Sequence, residues 1–180
     1  MRPGAAGFTR VGGADLFGHD EAILSALALT PDGRFALVGD NSEFSGVDTA
    51  IGAAALSDTG VTAVPRLRPF PDPMAIVASP HGDALLAVSG YSNAVRVLGY
   101  APNAATPFTD LGPPTYVTTK PQLPSEAVIV GGAWPNHVLV VENVALRRFR
   151  FDGGQVVTDL GRTAEGSGLQ AIPGAIGVQP

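Results

Sequence analysis

The chain contains no cysteine. Disulfides, thiolate metal sites and cysteine nucleophiles are thereby excluded, while the compartment stays open because exported proteins need not use disulfides. Charge is scarce too: Asp, Glu, Lys and Arg make up 15% of 180 residues, 11 basic against 16 acidic, for a formal net charge of -5. No basic stretch is long enough to follow a phosphate backbone, so nucleic acid is not an expected partner. Long hydrophobic runs are missing as well. The most apolar stretches, at 22–29 and 127–133, fall far short of a bilayer span, and Met1-Arg2-Pro3-Gly4 is followed by no apolar core of signal-peptide length. The expectation is a soluble chain with no membrane span and no export signal of its own.

What is abundant is turn punctuation, with 23 glycines and 16 prolines beside a 45% hydrophobic content. Few residues suit the surface of a helix, so the composition favours an all-β protein able to bury a core.

A repeat organises these strands and turns. An apolar run, a tight turn and a second apolar run occur at 25–38 around Thr30-Pro31-Asp32-Gly33 and again at 74–89 around Ser79-Pro80-His81-Gly82. They return at 127–141 around Trp134-Pro135-Asn136 and begin once more at 175–178. Proline pre-sets φ at the first turn position and Gly or Asn tolerates the left-handed conformation, so each copy reads as a β-hairpin. A third apolar segment follows at 49–56, 94–100 and 145–151. A fourth closes each unit with an echo: Phe108-Thr109-Asp110-Leu111-Gly112, Val157-Thr158-Asp159-Leu160-Gly161, the looser Val61-Thr62-Ala63-Val64, and an isolated Phe8-Thr9-Arg10-Val11-Gly12 at the start.

Four strands recurring about every 45–50 residues match the period of a β-propeller blade, and the 3.6-residue pattern of a helical repeat is missing. An ordinary β-sandwich would not need the Thr-Asp-Leu-Gly echo. The expected fold is an all-β, incomplete propeller in one domain: three four-stranded antiparallel blades at 22–65, 73–112 and 125–161, with end strands at 8–12 and 174–179. Because neighbours cover both faces of a blade, its strands should be apolar runs rather than alternations, as in Ala84-Leu85-Leu86-Ala87-Val88.

The second unit carries a family likeness. Ser79-Pro80-His81-Gly82-Asp83-Ala84-Leu85-Leu86-Ala87-Val88, followed by Tyr91-Ser92-Asn93-Ala94-Val95-Arg96-Val97, resembles the YVTN-type repeat of lactonase-like seven-bladed propellers. The first unit keeps Pro31-Asp32-Gly33 and Asp40-Asn41; the third keeps Asn143. The resemblance implies the fold, an exported bacterial protein, and a family whose enzymes act on anionic small molecules through His, Arg and Glu side chains in the channel. A seven-bladed ring at about 45 residues per blade needs about twice this length. The chain is therefore expected to be a piece of a longer propeller or to cover its open end blades by self-association.

Naming the strands a to d outwards from the channel, the d-to-a and b-to-c loops share one face, where ligands usually meet a propeller. The d-to-a loops supply His19, Asp20, Arg66, Arg68 and Glu126; the b-to-c loops supply Asp40, Asn41, Glu43, Glu142 and Asn143. These are the candidate ligand-binding residues. His19 with Asp20 and Glu142 could form a general base and its partner, though adjacent polar loop residues are more often simply solvated and no nucleophile signature accompanies them. Asp40, Glu43 and Asp48 could hold a hard cation, but they lack the EF-hand spacing and turn chemistry explains Asp40-Asn41, so neither metal nor cofactor is expected. Arg147, Arg148 and Arg150 alternate with Phe149 and Phe151. On a strand this divides into two faces and reads as inter-blade packing with salt bridges rather than a nucleic-acid stripe.

Two function classes follow. The first is a noncatalytic propeller module presenting its loop face to a protein or small ligand. The alternative, implied by the resemblance, is a lactonase-like hydrolase or cyclase acting on an anionic small molecule, with His19 and Glu142 as the residues to test.

Overall fold

The computed structural model describes residues 2–4, 7–18, 22–42, 50–65, 67, 70, 72–79, 81–89, 94–111, 115–116, 126–130, 136–141, 145–151 and 157–163. All regular structure among them is β. The first blade is β3 (Leu24–Leu29), β4 (Phe35–Asp40), β5 (Ala50–Leu56) and β6 (Val61–Val64), after a short hairpin of β1 (Arg2–Gly4) and β2 (Gly7–Thr9). The second is β7 (Pro73–Ala78), β8 (Ala84–Ser89), β9 (Ala94–Tyr100) and β10 (Phe108–Asp110), extended along β9 by β11 (Thr115–Tyr116). The third is β12 (Glu126–Val130), β13 (His137–Val141), β14 (Leu146–Phe151) and β15 (Val157–Arg162). Each sheet is an antiparallel meander in chain order, and the first strand of the second blade, β7, touches both β3 and β12. This is propeller architecture: three four-stranded blades stacked through their faces, with the first strands innermost.

The first two a-to-b turns close as their residues dictate. Gly33 and Gly82 adopt φ of 69° and 75°, and their amides donate to the carbonyls of Thr30 and Ser79. At the chain's start, β2 pairs with β1 (Phe8 opposite Pro3), and the end strand expected at 174–179 lies outside the described residues.

The middle blade shows why its strands are apolar throughout. Every residue of β8 is buried. Leu85, Ala87, Leu98 and Tyr100 pack towards the first blade against Phe35, Leu37, Ile51 and Ala53. The alternate residues Leu86, Val88, Val95 and Val97 pack towards the third against Val138, Val140, Phe149 and Phe151. Each blade thus has a leading face towards lower residue numbers and a trailing face towards higher ones. The two cores lie between blades, where apolar burial contributes about 25 cal/mol per Å².

Equivalent positions follow from the ladders. Leu86 opposite Val97 in the second blade corresponds to Leu37 opposite Ala53 in the first and Leu139 opposite Arg148 in the third. In the second and third blades one ion pair recurs on the leading face. Arg96 Nη1 lies 3.2 Å from Asp110 Oδ2, and Arg147 Nη1 lies 2.8 Å from Asp159 Oδ2. In both, the aspartate stands opposite the residue two places after the arginine, Leu98 or Phe149. The same diagonal in the first blade joins Gly52 and Ala63, since Ala63 stands opposite Ala54. Both charges are replaced together there, and the Phe17 ring lies over Gly52 instead.

Candidate functional site

The b-to-c corner of the first blade holds the described part of the expected loop face. Asp40 ends β4 fully buried, and its Oδ1 accepts the Ile23 amide at 3.1 Å, the Ser42 amide at 3.1 Å and the Ser42 hydroxyl. A carboxylate with three donors on one oxygen works as a cap: it ties the corner to the residue just before β3. Next to it, the Asn41 amide nitrogen donates to Met74 Sδ at 3.2 Å, and its backbone N–H donates to the Ile23 carbonyl. Asn41 Oδ1 is buried with no hydrogen-bond partner among the described residues. The corner therefore reaches from the first blade to the innermost strand of the second.

Two further contacts fix this seam. The Ser25 hydroxyl donates to the Pro73 carbonyl at 2.6 Å, across from the first blade to the second. Gly39 lies so close that an added Cβ would stand 2.3 Å from the same carbonyl oxygen. Beside Pro73, the buried Asp72 has φ of 44°, and it is the single non-glycine residue at positive φ among those described. Aspartate tolerates that region better than most residues, and its place before a proline makes it unusual there.

Of the residues expected at the loop face, Asp40 and Asn41 meet in this corner. Glu126 is placed by its backbone alone, opening β12 opposite Val141, at the end of the third blade that corresponds to Leu24 and Pro73. His19, Asp20, Glu43, Arg66, Arg68, Glu142 and Asn143 lie outside the described residues, as does Asp48 of the cation reading. Ser25, Ser42 and Asp72 enter the corner without having been expected. Only the Asp72-Pro73 pair offered a sequence signal, since it punctuates the start of an a strand.

At the opposite end, the first a-to-b turn grips the second blade. The Tyr100 hydroxyl stands 2.8 Å from both carboxylate oxygens of Asp32, which also accepts from the Thr30 hydroxyl at 2.7 Å and the Arg34 amide at 3.1 Å. Partial desolvation pushes the Asp32 carboxyl upward, yet the bonds from Thr30, Arg34 and Tyr100 and the Arg34 charge hold it below its ordinary value. Tyr100 is raised, first by desolvation and then by the bond to Asp32 and its negative charge, against the opposing pull of Thr30 and Arg34. Below the latch, Phe35, Tyr100 and Phe108 form an aromatic cluster with centroids 5.3 to 5.9 Å apart. The arrangement is an inter-blade clasp; the corresponding residues one blade on are His81 and Phe151, and a phenyl ring cannot donate.

No family model and no curated protein matches the chain. Solved structures do match. The periplasmic gluconolactonase of Pseudomonas aeruginosa superposes with a TM-score of 0.61 at 20% identity, over 81% of this chain and 43% of its own. A candidate 6-phosphogluconolactonase from Bacteroides fragilis gives a TM-score of 0.60 at 16% identity, over 78% of this chain and 38% of its own. A functionally unknown protein from Desulfotomaculum acetoxidans gives 0.60 at 15%, over 79% and 42%. The chain thus spans about two fifths of the length of these structures, and at such identities the likeness is one of fold.

Proposed function

We propose that the chain is a noncatalytic binding module whose loop face, at the b-to-c corners and d-to-a loops, receives a polar small ligand or a protein segment. The observation that carries this reading is the Asp40-Asn41 corner. Asp40 Oδ1 is taken up by Ile23 and Ser42 and so serves as a scaffold, whereas the neighbouring Asn41 offers a buried acceptor, Oδ1, with no partner among the described residues. A buried acceptor costs about 1–3 kcal/mol unless it is paired, and a donor brought by a ligand would remove that cost. Charge supports a neutral or mixed polar partner over nucleic acid, since the chain carries a net charge of -5.

A second reading is favoured by the gluconolactonase and 6-phosphogluconolactonase descriptions of the similar structures: a lactonase-like hydrolase or cyclase. His19 would act as general base and Glu142 as its partner, with Arg66 and Arg68 drawing in an anionic substrate.

One pair of measurements separates the two. D-gluconate is titrated calorimetrically, and glucono-δ-lactone hydrolysis is followed against the buffer rate. Binding that Asn41→Ala weakens about tenfold, without turnover, supports the module. Turnover that His19→Ala abolishes supports the lactonase. Absence of both removes sugar acids and their lactones from either reading.

A further inference from the structure

The first a-to-b turn holds two residues that can react with each other. Asp32 is followed by Gly33, whose amide nitrogen is shielded by no side chain and can attack the neighbouring carboxyl. The N–Cγ bond forms, the carboxyl hydroxyl leaves as water, and a five-membered succinimide results. Water then opens the ring at either carbonyl. At Cγ it restores aspartate; at the former peptide carbonyl it leaves the chain running through Cβ and Cγ as isoaspartate, with no atom gained or lost overall. The turn is open to this chemistry: Pro31, Asp32, Gly33 and Arg34 are exposed, and a Cβ built on Gly33 would meet nothing within 4 Å. Burial does not protect the pair.

Hydrogen bonds do. Ring formation needs a free amide nitrogen on Gly33, a protonated carboxyl on Asp32 and rotation of that carboxyl onto the nitrogen, and a contact opposes each. The Gly33 amide donates to the Thr30 carbonyl at 2.8 Å. The carboxyl is turned onward, its Oδ1 accepting the Thr30 hydroxyl at 2.7 Å and the Arg34 amide at 3.1 Å, while the Tyr100 hydroxyl stands 2.8 Å from both oxygens. These donors keep the carboxyl ionised, and a carboxylate is a poor electrophile. Thr30 and Arg34 belong to the turn itself; Tyr100 comes from strand c of the second blade. One blade on, His81 precedes Gly82 and Phe151 takes the place of Tyr100, so the reactive carboxyl and the facing hydroxyl are absent together.

We propose that Asp32-Gly33 is a self-modification site, and that docking of the Tyr100 hydroxyl from the second blade holds back its conversion to isoaspartate. The reaction and the seam are coupled. Conversion adds a methylene to the main chain of the turn and removes one from the side chain, which takes the carboxyl away from the Tyr100 hydroxyl, so the clasp does not re-form on the product. A closed seam preserves the aspartate, and an opened one lets it react. Unlike titration of the same pair, the change persists when the pH is restored. It lies at the end of the blades opposite the Asp40-Asn41 corner and stands independently of the ligand reading above.

The test ages the full chain beside a synthetic peptide of residues 28–37 in warm, mildly acid buffer and reads isoaspartate at position 32 by electron-transfer fragmentation. The folded chain should convert at least about tenfold more slowly than the peptide, since reaction requires a local opening. Tyr100→Phe should raise the folded rate about fivefold, the equivalent of one lost hydrogen bond. Gly39→Ala strains the same seam at its other end and leaves the clasp intact, so it separates local release from general unfolding. It should keep the slow rate. Conversion of the folded chain as fast as the peptide, no acceleration by Tyr100→Phe, or equal acceleration by Gly39→Ala would each overturn the proposal.

Discussion

Arg147 lies wholly inside the seam between the second and third blades, with its Nη1 2.8 Å from Asp159 Oδ2. The aspartate belongs to the Thr-Asp-Leu-Gly echo, so one purpose of that echo is to neutralise a buried arginine. Asp159→Asn keeps the shape and removes the charge, leaving a desolvated guanidinium. A loss of about 3–5 kcal/mol is expected. Arg147→Met with Asp159→Leu should recover most of it, because a packed apolar pair of similar volume is often neutral. Urea unfolding of the two variants beside the unaltered chain checks the order.

How much of this was legible beforehand depends on the range of each interaction. The hairpins were legible because Pro31-Asp32-Gly33 and Ser79-Pro80-His81-Gly82 are local: turn chemistry and two flanking apolar runs define them completely. The propeller fold followed from their recurrence. The Arg96-Asp110 and Arg147-Asp159 diagonals were not read as a repeat, since they join strands whose register appears only once the sheet exists. The Tyr100-Asp32 clasp crosses two blades, and nothing in the local sequence of either residue announces it. At the loop face, Asp40 and Asn41 were selected by topology, which names a face and not a role. That Asp40 caps and Asn41 offers an acceptor depends on which donors, from Ile23 and Ser42, arrive there.

The clasp makes stability depend on pH at both extremes. Asp32 has a lowered folded-state value, so the native chain binds fewer protons than the unfolded one in acid. Its contribution is full above the ordinary carboxylate value and fades as pH falls through the lowered one. Tyr100 is raised, so its contribution is full below about 10 and fades as pH rises through the raised value. Asp32→Asn should flatten the acid limb of a stability profile and Tyr100→Phe the alkaline limb. At neutral pH, Tyr100→Phe should cost about 1 kcal/mol. Chemical denaturation across the pH range measures both limbs.

Close approach of the first two blades leaves no room at Gly39. A Cβ there would meet the Pro73 carbonyl oxygen at 2.3 Å and Ala26 Cβ at 3.1 Å, and neither backbone nor innermost strand can yield cheaply. Gly39→Ala should cost about 1–3 kcal/mol, the usual range for overpacking. Gly60→Ala is the control: its Cβ would meet nothing within 4 Å, and no left-handed φ is required. It should be neutral or stabilise by up to about 1 kcal/mol through the unfolded chain. Thermal midpoints that fall for both variants would refute the steric account.

Gly52 and Ala63 stand where the other blades hold an arginine and an aspartate, and Phe17 and Leu16 fill the notch this leaves. If the phenylalanine is what makes the smaller pair tolerable, removing it should act on one region only. Phe17→Ala should cost about 1–2 kcal/mol, less than a fully buried phenylalanine, since the ring is half-buried. Hydrogen exchange should quicken in β5 and β6 before it does in β8 or β13. Ala63→Asp alone should be close to neutral, because Ala63 is exposed and the new carboxylate stays in water. Adding Gly52→Arg to a Phe17→Ala, Ala63→Asp background should then restore stability, as the ring no longer blocks the guanidinium. A triple variant no more stable than Phe17→Ala with Ala63→Asp would show that the diagonal alone does not define the pair.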